Sequence, residues 1–285
     1  MARYSNMKKN RKQNKFKDLL RRLICVPKCA SCGTRLSPFA DENEFNHGYP
    51  CLCDKCMKKW QAACVQMCHT CSKVASACTC MPLKKAFTQP TIPSLFFYHP
   101  DASRAESNVI YTLKHKDNRD LFDFLVSELY PKLEEFICEL EIDAAECVFT
   151  YIPRTKKAII KNGFDQGERL CKRIALRANA ACHPLLTREG GKEQKKLSGK
   201  QRKKNADKAV YANTSMKGFA RQYRNRRFNE ILDGKTVIIV EDIITTGATV
   251  QRAIKCLKDS GAKNILVCAV ARSEIATDKT RSNDK

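Results

Sequence analysis

The sequence predicts an α/β protein, a parallel sheet flanked by helices, preceded by an N-terminal cysteine-rich module. Three observations carry that prediction. Four consecutive aliphatic residues, Val237-Ile238-Ile239-Val240, read as a strand buried on both faces, the pattern of a parallel sheet. A turn of small residues, Thr245-Thr246-Gly247-Ala248-Thr249, follows and opens a helical run from Val250 to Leu257 that closes at Gly261. Eleven of the 17 cysteines fall within residues 25–80, many of them in Cys-x-x-Cys pairs.

The chain of 285 residues has room for one mid-sized domain plus a smaller module. It contains no apolar run long enough for a membrane helix and no N-terminal apolar signal region, so neither a membrane span nor secretion is expected. Clustered cysteines without a secretion signal argue for metal binding in a reducing, cytoplasmic setting. The net charge of +23 favours contact with a polyanion, nucleic acid being the obvious candidate, and says nothing about fold.

Residues 1–24 are dominated by Lys and Arg and read as a solvated basic tail or a nucleic-acid-contacting arm. The cysteine module spans residues 25–82. Cys29-Ala-Ser-Cys32-Gly33 forms one knuckle and Cys53-Asp-Lys-Cys56 a second, about twenty residues later. Two knuckles at that spacing suit tetrahedral zinc–thiolate coordination in a zinc ribbon, so Cys29, Cys32, Cys53 and Cys56 are assigned to one structural Zn²⁺. Cys68, Cys71, Cys78 and Cys80 are assigned to a second, although Cys78-Thr-Cys80 is an unusual closing pair. Cys25, Cys51 and Cys64 are spare ligands, and His47 and His69 can also ligate. Four protein ligands leave no open position for water, which makes such a site structural. Small loop-rich segments of this kind tend to fold only with metal.

A linker over residues 82–93 leads into the larger domain, residues 93–272. Leu95-Phe96-Phe97-Tyr98 reads as its first strand, and Val109–Lys116 leads into a helix through Leu121, Phe122, Leu125 and Leu129. Glu146 to Pro153 is a second buried strand, ended by proline. The basic loop that follows, with Arg154, Lys156, Lys157 and Lys161, opens a helix through Leu170 and Ile174 and reads as an anion site. Pro184-Leu185-Leu186-Thr187 is a short strand. Lys192 to Lys208 and Arg221 to Arg227 form strongly basic stretches that read as a mobile flap. Residues 263–271 supply another buried strand, and residues 273–285 a polar tail.

At the strand-to-helix turn, Glu241 and Asp242 precede Thr245, Thr246, Gly247, Ala248 and Thr249. A small-residue turn at a helix N-terminus directs backbone N–H groups and the positive dipole end at an anion. Ionised carboxylates only accept hydrogen bonds, which suits Glu241 and Asp242 to vicinal ribose hydroxyls. Neither the Rossmann glycine pattern nor the Walker lysine is present. This stretch resembles the phosphoribosyl-pyrophosphate (PRPP) motif of type I phosphoribosyltransferases. With the cysteine pairs, Leu113-Lys114-His115, Ile152-Pro153, Gly163-Phe164-Asp165-Gln166, Arg188, Gln194, Leu197-Ser198, Arg202 and Asn205, the whole chain resembles the ComF family. Asn162 and Asp165 stand where that family shows Arg and Asn.

The resemblance implies a type I phosphoribosyltransferase fold behind a zinc ribbon, and PRPP bound with Mg²⁺. It implies a cytoplasmic bacterial protein linked to natural competence and incoming single-stranded DNA. Two function classes follow. One is an active or vestigial phosphoribosyltransferase, with the 245–249 loop on the 5′-phosphate, Glu241 and Asp242 on the ribose, and Arg154, Lys156 and Lys157 on the diphosphate. The other is a zinc-dependent nucleic-acid-binding module on the same fold. No residue stands out as a general base, so no catalytic residue is assigned.

Overall fold

The computed structural model describes residues 23–37, 51–80, 93–101, 103–188, 210–215, 217 and 227–274. The basic residues 1–22, most of the 82–93 linker, Gln194, Leu197, Ser198, Arg202, Asn205, the basic stretches 192–208 and 221–226, and the tail beyond Glu274 lie outside the described residues.

Five parallel strands make the central sheet: β1 (Ser94–Phe97), β2 (Cys147–Tyr151), β3 (Ala181–Cys182), β6 (Thr236–Ile244) and β7 (Asn264–Arg272), in spatial order β1-β7-β6-β2-β3. The aliphatic run that marks β6 is fully buried because helices cover both faces. Those helices are α2 (Ala105–His115), α3 (Arg119–Glu139), α4 (Lys156–Asn162), α5 (Gln166–Arg177), α6 (Phe228–Leu232) and α7 (Ala248–Asp259). The expected segment through Val109 is thus helical itself, and Asn118 separates it from the next helix by capping the Leu121 N–H at 3.1 Å. Two further strands, β4 (Leu186–Arg188) and β5 (Val210–Ala212), form a separate antiparallel pair, placing the predicted Pro184–Thr187 strand two residues later and off the main sheet. Proline at 184 cannot donate to a ladder, which delays the start.

Two local expectations are corrected. Glu241 and Asp242 do not follow β6 but lie within it, since β7 pairs with β6 as far as Ile244. The opposite edge is open there, because β2 pairs with β6 only up to Tyr151–Val240 and the chain then turns away at Pro153. The predicted basic loop is instead helix α4, whose N-terminus is capped by Thr155 Oγ1 on the Ala158 N–H at 3.3 Å. It ends at Gly163, whose φ of 79° is left-handed and closes the helix onto the Ile159 carbonyl.

The cysteine module contains a helix that the sequence reading did not anticipate, α1 (Asp54–Cys64). It begins inside the second knuckle, with Cys53 at its N-cap and Cys56 on its first turn. Its Trp60 is 0% exposed and packs on Phe96 of β1 and Phe124 of α3, with ring centroids 5.1 and 5.4 Å apart. Thr112 of α2 donates to the Ala30 carbonyl at 2.7 Å. The module therefore shares one apolar core with the sheet domain.

Candidate functional site

The winding of the sheet reverses between β2 and β6, since β3 lies outside β2 while β7 and β1 lie beyond β6. Ligands of open α/β sheets bind at such a point, beyond the C-terminal strand ends. A crevice of about 300 Å³ is found there. Its walls bring together Glu241, Asp242, Thr245, Thr246, Gly247, Ala248 and Thr249 from the β6–α7 side with Arg154 from the β2 side. It also collects Lys114, Gln166 and Arg188, to which the sequence reading gave no site role. Lys156 instead lines a neighbouring cavity, and Lys157 lies on neither wall.

On the β6–α7 side the small-residue turn and the start of α7 line the crevice. Gly247, the N-cap of α7, has a φ of 73°, the left-handed turn that swings the chain into the helix, and itself offers no capping side chain. Thr246 Oγ1 stands 3.5 Å from the Ala248 N–H, while Thr245 and Thr246 are exposed at the mouth.

The carboxylates lie at the open edge of β6. Asp242 is buried and accepts from the Ile243 N–H at 2.7 Å and from Gln166 Nε2 at 3.0 Å, with Lys114 Nζ 3.6 Å away. Glu241 Oε1 accepts from the Asp242 N–H at 3.2 Å. Burial, then the negative charge of Asp242, pushes the Glu241 carboxyl well above the ordinary range. The sequence expectation of two ionised acceptors is thus modified at Glu241, where burial favours the protonated form. Gln166 Oε1 is buried with no partner, aligned with an amide whose nitrogen Asp242 already occupies.

Opposite, Arg154 is held by its backbone and its side chain. Its N–H donates to Asp165 Oδ2 at 2.8 Å, and its Nη1 donates to the Lys114 carbonyl at 2.7 Å. Asp165 Oδ1 caps α5 through the Gly167 and Glu168 N–H groups at 2.9 and 3.3 Å. Asp165, one of the two residues that depart from the resemblance, is therefore the tie between the Arg154 loop and the helix that supplies Gln166. A second cavity of about 590 Å³ shares Pro153, Arg154 and Arg188 with the crevice and adds Lys156, Lys172 and Lys217. Its carboxylate, Glu168, is paired with Lys172 at 2.6 Å.

The eight predicted cysteine ligands form two tetrads, Cys29–Cys32–Cys53–Cys56 and Cys68–Cys71–Cys78–Cys80, with all sulfurs of each within 4.8 Å of one another. Sulfurs around a tetrahedral Zn²⁺ sit ~3.8 Å apart. The Cys32–Cys53 and Cys71–Cys78 sulfurs are 3.7 and 3.5 Å apart, so both donor sets fit a metal ion such as zinc. The side chain and backbone N–H of Thr34 hold Cys32 down at about 6, whereas burial pushes Cys56 up to about 12. Cys51 is buried outside the tetrads, and His69 engages Glu274 instead.

Comparison with known proteins gives a consistent picture. The family described as phosphoribosyl transferase domain matches residues 191–285. Orotate phosphoribosyltransferase 2 of Mesorhizobium japonicum is 45% identical over 53 residues, 18% of this chain and 27% of that protein. Orotate phosphoribosyltransferase of Bradyrhizobium diazoefficiens is 46% identical over 50 residues, 17% of this chain and 27% of its own length. Amidophosphoribosyltransferase of Staphylococcus aureus is 50% identical over 38 residues, 13% of this chain and 8% of its own length. The chain thus spans about a quarter or less of the length of these curated relatives. Together with the parallel sheet flanked by helices, these matches support a phosphoribosyltransferase-family relationship. Among the described residues no helix is long and apolar enough to cross a membrane.

Proposed function

We propose that the crevice binds PRPP with Mg²⁺ and that the chain is a phosphoribosyltransferase-like protein. One observation carries this reading: two carboxylates on an unpaired strand edge adjoin a helix N-terminus with glycine at its N-cap, with Arg154 and Lys114 across the gap. The Thr245–Thr249 loop takes the 5′-phosphate through backbone N–H groups and hydroxyls. Asp242, oriented by Gln166, and Glu241 accept from the ribose hydroxyls. Arg154, Lys114 and Arg188 face the diphosphate. Mg²⁺ would enter with the diphosphate as a hard cation held largely by ligand oxygens and water. Transfer from such a site relies on charge stabilisation of the departing diphosphate by these cations.

Isothermal titration with PRPP and Mg²⁺ tests the reading. Wild type should give a saturable heat that Asp242→Asn abolishes. No heat from wild type, or equal heat from the variant, sinks it.

The finer reading is a ComF-like protein acting on single-stranded DNA in the cytoplasm. Support comes from the ordered motifs, the net charge of +23 and the cation-rich second cavity adjoining the crevice. Single-strand affinity should fall with salt at a slope of roughly 0.7 per phosphate contact. A flat salt profile removes this reading.

A further inference from the structure

Arg272, the last residue of β7, is 3% exposed, and arginine is almost never buried so completely without a partner. Its Nη2 donates to the Cys78 carbonyl at 2.9 Å, and the guanidinium lies 5.4 Å over the Phe97 ring. Its Nε and Nη1 are buried with no acceptor. An uncompensated buried charge costs several kcal/mol. The group beside it is the second cysteine tetrad, of which Cys68 and Cys78 are buried. Phe97, Cys68 and Cys78 pack in one cluster with Ala75.

Four thiolates around Zn²⁺ would leave a net dianion, buried on the side of Cys68 and Cys78 that Arg272 adjoins, and charge held out of water on that side is costly unless it meets its opposite. The first tetrad differs, because its Cys32 is exposed and water can screen it.

We infer that Arg272 is the counter-charge of the second tetrad, a positioning residue that ties metal binding there to the C-terminal end of the sheet's interior strand β7. This rests on that tetrad holding zinc. The adjoining residues extend the tie. Glu274 accepts from the His69 N–H at 3.1 Å and contacts His69 Nδ1 at 2.9 Å, clasping the Cys68–Cys71 knuckle. Tyr98 N–H donates to the Arg272 carbonyl at 2.8 Å, and Ser273 N–H donates to the Ile244 carbonyl at 2.8 Å. Ile244 is the ladder partner of Arg272 and the residue immediately before the Thr245–Thr249 loop. Metal in the second tetrad thereby buttresses the strand from which the crevice loop springs.

The test is zinc content by elemental mass spectrometry and zinc release to a chromogenic chelator, in the full chain. Cys32→Ser and Cys71→Ser assign the two release phases. If Cys71→Ser removes no zinc, the second tetrad holds none and the underlying reading fails. With that zinc present, Arg272→Met should speed the loss of the Cys71-dependent ion by ~10–100-fold, the scale seen when a group behind a metal ligand is removed. Arg272→Lys should recover part of that loss, and the first tetrad should be unmoved. Two ions released at wild-type rates from Arg272→Met would overturn the inference. Should Arg272→Met not fold, the reciprocal measurement decides. In Cys71→Ser the Tyr98 and Ser273 amides should lose hydrogen-exchange protection relative to Val237 and Ile239. Unchanged protection would refute the tie.

Discussion

Replacing Asp165 by Asn changes one atom in the side chain that joins the two halves of the crevice. In the wild type one carboxylate oxygen caps α5 and the other holds the Arg154 N–H at 2.8 Å. Asparagine keeps an acceptor for the Gly167 and Glu168 N–H groups, so the cap survives, but presents N–H₂ to the Arg154 N–H. The lost bond is charge-assisted, worth ~1.5–3 kcal/mol. Against it stands the cost of keeping a carboxylate there, since burial pushes the Asp165 carboxyl above its ordinary value. The net loss should be ~1–2 kcal/mol for Asn, and ~2–4 kcal/mol for Ala, which forfeits the cap as well. For a chain of this size that corresponds to a fall in Tm of roughly 3–6 °C and roughly 5–12 °C. Thermal unfolding of zinc-saturated protein, followed by PRPP titration, measures both consequences. Affinity should weaken in the same order, because Arg154 and Gln166 are both anchored through this residue. An Asn variant as stable as wild type would show that the Arg154 N–H does not depend on residue 165, and the argument would fail.

Three further outcomes are expected. Burial and then the charge of Asp242 push the Glu241 carboxyl well above its ordinary range, while hydroxyl donors favour its carboxylate. PRPP binding should therefore release a proton, making the titration heat depend on the buffer, and affinity should fall as pH drops through the raised Glu241 value; buffer-independent heats would contradict this. Trp60→Ala empties the core shared by module and sheet and should cost ~3–5 kcal/mol in chemical unfolding, with both parts losing cooperativity together. Separate transitions with the sheet domain unmoved would show that the module docks only loosely. Burial holds His183 below its usual 6.5, so the unfolded chain takes up that proton first. Stability should decline as pH falls from about 6.5 towards the depressed folded value, and His183→Asn should flatten that slope in urea titrations.

Much of the crevice was legible because its chemistry is local. The strand, the two carboxylates, the small-residue turn and the helix lie within residues 237–257, and short-range patterning sets each of them. The cysteine ligands were legible for the same reason, since knuckle spacing is itself a geometric constraint. The contributions of Lys114, Gln166 and Arg188 were not, although each stood in a quoted motif. They reach the crevice from α2, α5 and β4, and only packing decides which side chains of those elements face inward. Lys156 and Lys157 illustrate the converse. Composition marked the segment as cationic, but helical winding of α4 turns those two away from the wall that Arg154 and Thr155 occupy.

From residues alone came the α/β class, the phosphate-binding turn, the acidic pair and the eight thiols in two groups. Tertiary structure decided how those pieces are coupled. Pairing of β6 with β7 beyond the end of β2 leaves the carboxylates on an unpaired edge, and burial pushes the Glu241 carboxyl up. Packing of Trp60 on Phe96 makes one body of two compositional segments, and burial of Arg272 places a cation against the second tetrad. These are contacts between residues far apart in the chain, governed by desolvation and ladder pairing. A linear pattern encodes which groups are available, and burial determines which of them must find one another.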